Sequence, residues 1–169
     1  MHVQHVLRFG RKDHAPEIAR VEVLRYGAPA MWQVLLDTET VLLRHHPVKR
    51  VIVMTRTEID LPLDVVPLRA FFQSIVDATE GIDRTTHEFV IDSRDVVGRN
   101  DETFESLKRE YEGPLLGGYR RVSVVVRSQI GRLQVNRYNE VLHERTMEIY
   151  DTLEEAIGIE DPFEPQQPA

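Results

Sequence analysis

The 169-residue sequence contains no cysteine. Disulfides, thiolate metal sites and a thiol nucleophile are therefore excluded, and a reducing compartment, the cytoplasm by default, is the expected setting. No apolar run approaches the length needed to span a bilayer, and no basic stretch leads into a long apolar segment after Met1, so neither a membrane span nor a secretory signal is expected. Positive charge is in short supply: 21 Lys and Arg face 28 Asp and Glu, for a formal net charge of −7. A nucleic-acid partner is not expected, because binding one usually requires a positive footprint that displaces counterions. A Gly-rich phosphate loop is missing too, since Gly117-Gly118 precedes an apolar segment where such a loop would follow one, and there is no Gly-x-Ser-x-Gly elbow. No internal repeat, heptad pattern or low-complexity linker divides the chain.

What is present reads as one globular unit, 41% hydrophobic and 29% charged. Residues 1–30 form an N-terminal extension with possible strands at 3–9 and 20–26, residues 31–160 an α/β domain, and 161–169 a flexible Pro-rich tail. Segment 32–38 fits a strand or the start of a helix, because Met31, Val34, Leu35, Thr38, Val41 and Leu42 also fit helical spacing. Pro47 breaks it, and 48–57 reads as a buried strand. Asp64 is placed to cap a helix with the stripe Val65, Leu68, Phe72, Ile75 and Val76, stopping at Gly81. A strand at 89–92 precedes a helix that starts near Asn100, turns Phe104, Leu107 and Tyr111 inward, and ends at Gly113-Pro114.

Val122, Val124, Val125 and Val126 mark 121–127 as a strand covered on both faces and the candidate for the sheet's centre. A helix from Ser128 is expected to turn Ile130, Leu133, Tyr138, Val141 and Leu142 inward. The last strand is placed at 146–150. Asp151 with Glu154, or Thr152 with Glu155, makes a capping box for a short helix ending at Gly158. Strand and helix alternate from residue 48 onward, which calls for parallel strands joined by right-handed crossovers, while the upstream strands add most easily as a hairpin. The expectation is a single-domain α/β fold: a mixed β-sheet with βαβ crossovers and flanking helices.

In open α/β sheets ligands bind outside the carboxyl ends of the strands. Arg94, Arg99, Asn100, Asp101, Arg127 and Ser128 gather there, and the two helix starts present free amides, so these six are the candidates for holding a ligand or anion. Asn100, Ser128 and Asp151 are also what helix starts require for capping. No pair of acids has the spacing of an acid–base couple, and Asp92 with Asp95 suits a turn, so no catalytic residue is assigned and enzymatic activity is left open. His45 and His46 diverge on either a strand or a helix, while His2 and His5 lie near the start of the chain; no metal site and no cofactor are assigned. Arg120, Arg121, Arg127, Arg132 and Arg137 concentrate positive charge in an acidic chain. Arg132, Gln134, Asn136 and Arg137 share a helix and are the candidates for docking an acidic protein partner, a solvated face being the plainer explanation. A homodimer is the other assembly considered.

The run from Phe89 through Asp92-Ser93-Arg94-Asp95 to Arg99-Asn100-Asp101, then a helix, the valine-rich strand, Ser128-Gln129-Ile130-Gly131-Arg132 and finally Met147-Glu148-Ile149-Tyr150-Asp151 before a capped helix, resembles the STAS family. That family is named for sulphate transporters and anti-sigma factor antagonists, and the resemblance covers roughly residues 32–159 through the order of elements. It implies a small mixed sheet flanked by helices, acting as a non-enzymatic interaction or regulatory module, sometimes with a nucleotide or lipid-like ligand. Phosphorylated members carry a Ser at a loop-to-helix junction within an Asp-Ser-Ser-Gly-like stretch. Here the junction reads Arg99-Asn100-Asp101-Glu102-Thr103, so that Ser is absent, Ser93 and Thr103 are the nearby hydroxyls, and Asp101 stands where phosphate charge would appear.

Overall fold

The structure is a computed structural model and describes residues 32–96, 98–141 and 146–158. The extension at 1–30, its two expected strands and the Pro-rich tail lie outside the described residues. Six strands form one sheet in chain order. Strands β1 (Gln33–Asp37), β2 (Val41–His46) and β3 (Val51–Arg56) are antiparallel neighbours, whereas β3, β4 (Glu88–Asp92), β5 (Arg121–Val125) and β6 (Glu148–Tyr150) run parallel. The expected mixed α/β sheet is observed. The ambiguity over 32–38 resolves to strand β1, followed by β2 instead of a helix, with Leu36 of the first and the alternate residues Val41 and Leu43 of the second packed into the core. Val48 stands 68% exposed in the turn after β2 instead of beginning β3.

Helices α1 (Val65–Ala78), α2 (Glu102–Leu116) and α3 (Gln129–Val141) each follow a parallel strand. Consecutive strands advance in one direction across the sheet, so right-handed crossovers bring all three helices to the same face. A single cluster accordingly joins Ile75 of α1, Leu115 and Leu116 of α2, and Val135 and Tyr138 of α3 to Ile52, Phe89, Val122 and Val124. The opposite face is covered by α4 (Leu153–Ile157), whose Leu153 and Ala156 pack on Val53, Val90 and Val125 together with Trp32. Five residues are far too few to hold a helix in water. Here Thr152 and Glu155 complete the capping box, worth about 1 kcal/mol, and full burial of Leu153 adds about 2 kcal/mol. Gly158 ends the helix in the left-handed region at φ 65°.

Four local expectations are corrected. Asp64 occupies the N-cap position of α1 but its side chain makes no cap bond. The N-cap of α2 is Asp101, one residue beyond Asn100. Gly113-Pro114 does not end α2, which runs on to Leu116, because Leu115 and Leu116 pack against the core and the Arg84 guanidinium donates to the carbonyls of Pro114 (2.6 Å) and Gly117 (3.2 Å). In α3, Ile130 and Leu133 point to solvent, 70% and 67% exposed. A Cβ on Gly131 would stand 3.3 Å from that of Val126, so the helix approaches the sheet through glycine and buries the Gly131, Val135 and Tyr138 stripe instead. Strand β5 is interior but lies fifth in the order, between β4 and β6; β3 and β4 are central.

Candidate functional site

Between the sheet and the three-helix layer, towards the carboxyl ends of the parallel strands, lies a cavity of about 220 Å³. Its floor comes from residues of β3 to β5 in the phase that faces the helices, Met54, Ile91, Val124 and Val126. Phe71, Phe72 and Ile75 of α1, Phe104 of α2, and Gly131, Val135 and Tyr138 of α3 supply the walls. Leu61, in the loop after β3, is buried and lines it as well. The enclosure is mainly hydrophobic and aromatic, with polar groups at a few points, which is the usual composition of a small-molecule site.

Two of the polar groups are arginines. Arg56 ends β3 in the same inward phase as Ile52 and Met54; its guanidinium lies 5.9 Å from the centre of the Phe71 ring. Arg99 comes from the loop before α2, donates to the carbonyls of Leu61 (3.1 Å) and Pro62 (2.9 Å), bonds the Asp101 carboxylate at 2.7 Å, and lies 5.2 Å from the Phe104 ring centre. After this, the Nε of Arg56 and the Nη2 of Arg99 remain buried with no hydrogen-bond acceptor. Burial lowers the pKa of Arg56, and the positive charge of Arg99 lowers it further, so the two cations work against each other across the site. Asp101 serves twice, accepting from Arg99 and from the Phe104 amide at 3.0 Å as the cap of α2, and these bonds lower its pKa.

The wall between α2 and α3 is polar in a different way. Burial lowers the pKa of Lys108, whose Nζ rests 3.8 Å from the centre of the Tyr138 ring. The Tyr138 phenol is pushed up, by burial first and then by the Glu112 carboxylate beside it, so it stays a neutral hydroxyl. Above them the loop before α2 closes on α3: a Cβ on Gly98 would meet the Gln134 side-chain amide, so Gly98 and Gln134 are in contact over the cavity.

The sequence-derived candidates therefore separate. Arg99, an anion-site candidate, and Gln134, a docking candidate, line the cavity, while Asp101 stays outside its lining and bonds Arg99. Arg94 does not line it: it is folded against Asp92 through two bonds of 2.9 Å, the pair being 7% and 3% exposed. Asp92 alternates with Ile91 and so belongs to the sheet face opposite the cavity. Arg127 is exposed and reaches Asp95 at 3.3 Å, Ser128 accepts from the Gly131 amide at 3.0 Å as the cap of α3, and Asn100 is exposed. On α3, Arg132 is paired with Asp151, while Asn136 and Arg137 face solvent.

Arg56, Lys108 and Tyr138 were not singled out from the sequence as site residues, yet a signal exists for two of them. Arg56 is a charge at an inward strand position, and Lys108 falls on the inward stripe of α2 between Phe104 and Tyr111. His45 was read with His46, but its partner is His87, with the two Nε2 atoms 3.1 Å apart. Among the described residues, no group of three or more metal-ligating side chains occurs and no helix is long and apolar enough to cross a membrane. No family model matches this chain, and comparisons with curated proteins and with solved structures find no similar one.

Proposed function

We propose that this domain is a small-molecule binding module whose ligand is held in the cavity between the sheet and its three helices. The observation that carries this reading is the partly enclosed space itself, about 220 Å³ lined by aromatic side chains and by two arginines that each hold a buried N–H with no acceptor. Dispersion and hydrogen bonds missing from such a space are what a ligand supplies. The reading places the module in the cytoplasm, in keeping with the cysteine-free sequence. Titration with indole, a neutral aromatic probe, tests it: saturable NMR shifts confined to Ile75, Val124, Tyr138 and their neighbours are expected. Val135→Phe, which fills part of the space, should abolish them while the protein stays folded. Shifts that are absent, or scattered over the surface and indifferent to Val135→Phe, would refute it.

A second reading keeps the STAS-like interaction module suggested by the order of elements. It is supported by Ile130 and Leu133, two large apolar side chains left outside on α3 beside Arg137. With Arg132 already engaged by Asp151, the docking face for an acidic partner or a second copy of this chain would centre on these three residues. Sedimentation of the wild type against Ile130→Ser/Leu133→Ser separates the outcomes. A monomer–dimer equilibrium lost in the variant supports an interface between copies, and identical monomers remove that assembly.

A further inference from the structure

We infer that the ligand is a compact aromatic monocarboxylate, with its carboxylate between Arg56 and Arg99 and its ring in the apolar part of the cavity. This rests on the binding-module reading above and adds the charge and size of the occupant. The charge follows from the two arginines. Each guanidinium lies against an aromatic ring, Phe71 for Arg56 and Phe104 for Arg99, and each keeps one buried N–H without an acceptor. Burial, and after it the charge of Arg99, lower the pKa of Arg56, with Asp60 opposing them. Asp101 takes up only the Nε edge of Arg99, and the carbonyls of Leu61 and Pro62 take up one Nη, so the vacant edges of the two arginines call for an anion that accepts from both. A carboxylate has two oxygens and lone pairs on each, which suits two donors arriving from different chain segments.

The size follows from the volume. A cavity of 150 Å³ holds benzene. By proportion, the 220 Å³ here admits about nine non-hydrogen atoms, enough for a ring bearing a short acid arm and too few for a long acyl chain. A single negative charge matches the two arginines, since the wall at Tyr138 already holds the Glu112 carboxylate and the Lys108 ammonium together.

Calorimetric titration of the full chain with phenylacetate, with its neutral isostere phenylacetamide and with palmitate tests each element. Phenylacetate should bind roughly tenfold or more tightly than phenylacetamide, the scale of a charge-assisted hydrogen bond kept or lost. Arg56→Gln should bring phenylacetate down to the level of the amide without affecting the amide itself, and palmitate should not bind in the cavity. Arg56→Lys keeps the charge but not the fork and should recover only part of the loss. Equal affinity for acid and amide, unchanged in Arg56→Gln, would overturn the carboxylate assignment and leave the binding module standing. Palmitate competing with phenylacetate would overturn the size argument. No binding by phenylacetate, phenylacetamide or indole would remove the module reading together with this one.

Discussion

On the sheet face covered by α4, Arg94 meets Asp92 through two bonds of 2.9 Å, and Arg121 is gripped by Glu88 while donating to the Ala156 carbonyl. On the face covered by α1, α2 and α3, Arg56 and Arg99 line a cavity and each keeps a buried N–H with no acceptor. Arg94 and Arg121 direct their guanidinium groups onto carboxylates and a carbonyl of the chain, while Arg56 and Arg99 each leave one buried N–H unbonded. Buried charge that is fully paired serves the fold, while buried charge left incomplete beside an empty apolar space is a cost to stability that a ligand can offset. On the proposed reading, the Arg94–Asp92 pair serves the fold and the Arg56–Arg99 wall serves the ligand.

The largest effect expected from this contrast lies on the structural face. Asp92→Ala removes the carboxylate that pairs with the Arg94 guanidinium in a site where the two are 3% and 7% exposed. Removing one partner of a buried pair typically costs about 3–5 kcal/mol; urea denaturation should show a lower midpoint with the slope unchanged. On the three-helix face the sign is expected to reverse. Arg56→Met replaces an incompletely bonded cation by an apolar side chain of similar length next to Phe71, and should leave stability unchanged or raise it by about 1 kcal/mol. A loss as large as that of Asp92→Ala would mean that Arg56 also serves the fold, and the comparison would fail.

A smaller effect sharpens the comparison at the opposite end of the sheet. Burial, then His87 and His46, lower the pKa of His45 from 6.5 to about 4. Between those values the unfolded chain binds more protons than the folded protein, so this contribution to stability is whole above pH 6.5 and is lost as the pH falls through about 4. The His87 Nδ1 is 2.8 Å from the Asp83 carbonyl, which fixes the tautomer that accepts from His45. Thermal melts from pH 7 to 4 should show the decline, and His45→Phe should flatten the part of it that Asp and Glu titration does not supply.

Much of the fold was legible because strand and helix periods are local. Val51, Ile52 and Val53, the Leu68–Phe72–Ile75 stripe and the valines of β5 each declare their element within one window. The register of α3 was not legible in the same way. Two apolar stripes compete on that helix, and Ile130 with Leu133 looks the stronger until Gly131 is seen as the residue that lets the backbone approach Val126. Of the six rim candidates, Arg99 lines the cavity, whereas Arg94 falls to the other face because strand alternation after Ile91 carries Asp92 there. Gln134, read as a docking residue, lines it too. The sequence pointed to loops outside the carboxyl ends of the strands, whereas the cavity lies between sheet and helices, and Arg56, a charge in core phase, was its clearest trace in the sequence.

A structure of the protein soaked with phenylacetate tests the central claim most directly. The account predicts the ring among Phe71, Phe104 and Val124 and a carboxylate oxygen within hydrogen-bond distance of both the Arg56 Nε and the Arg99 Nη2. A soaked cavity that stays empty while the titration reports no binding, or a ligand seated with its carboxylate away from both arginines, would contradict it.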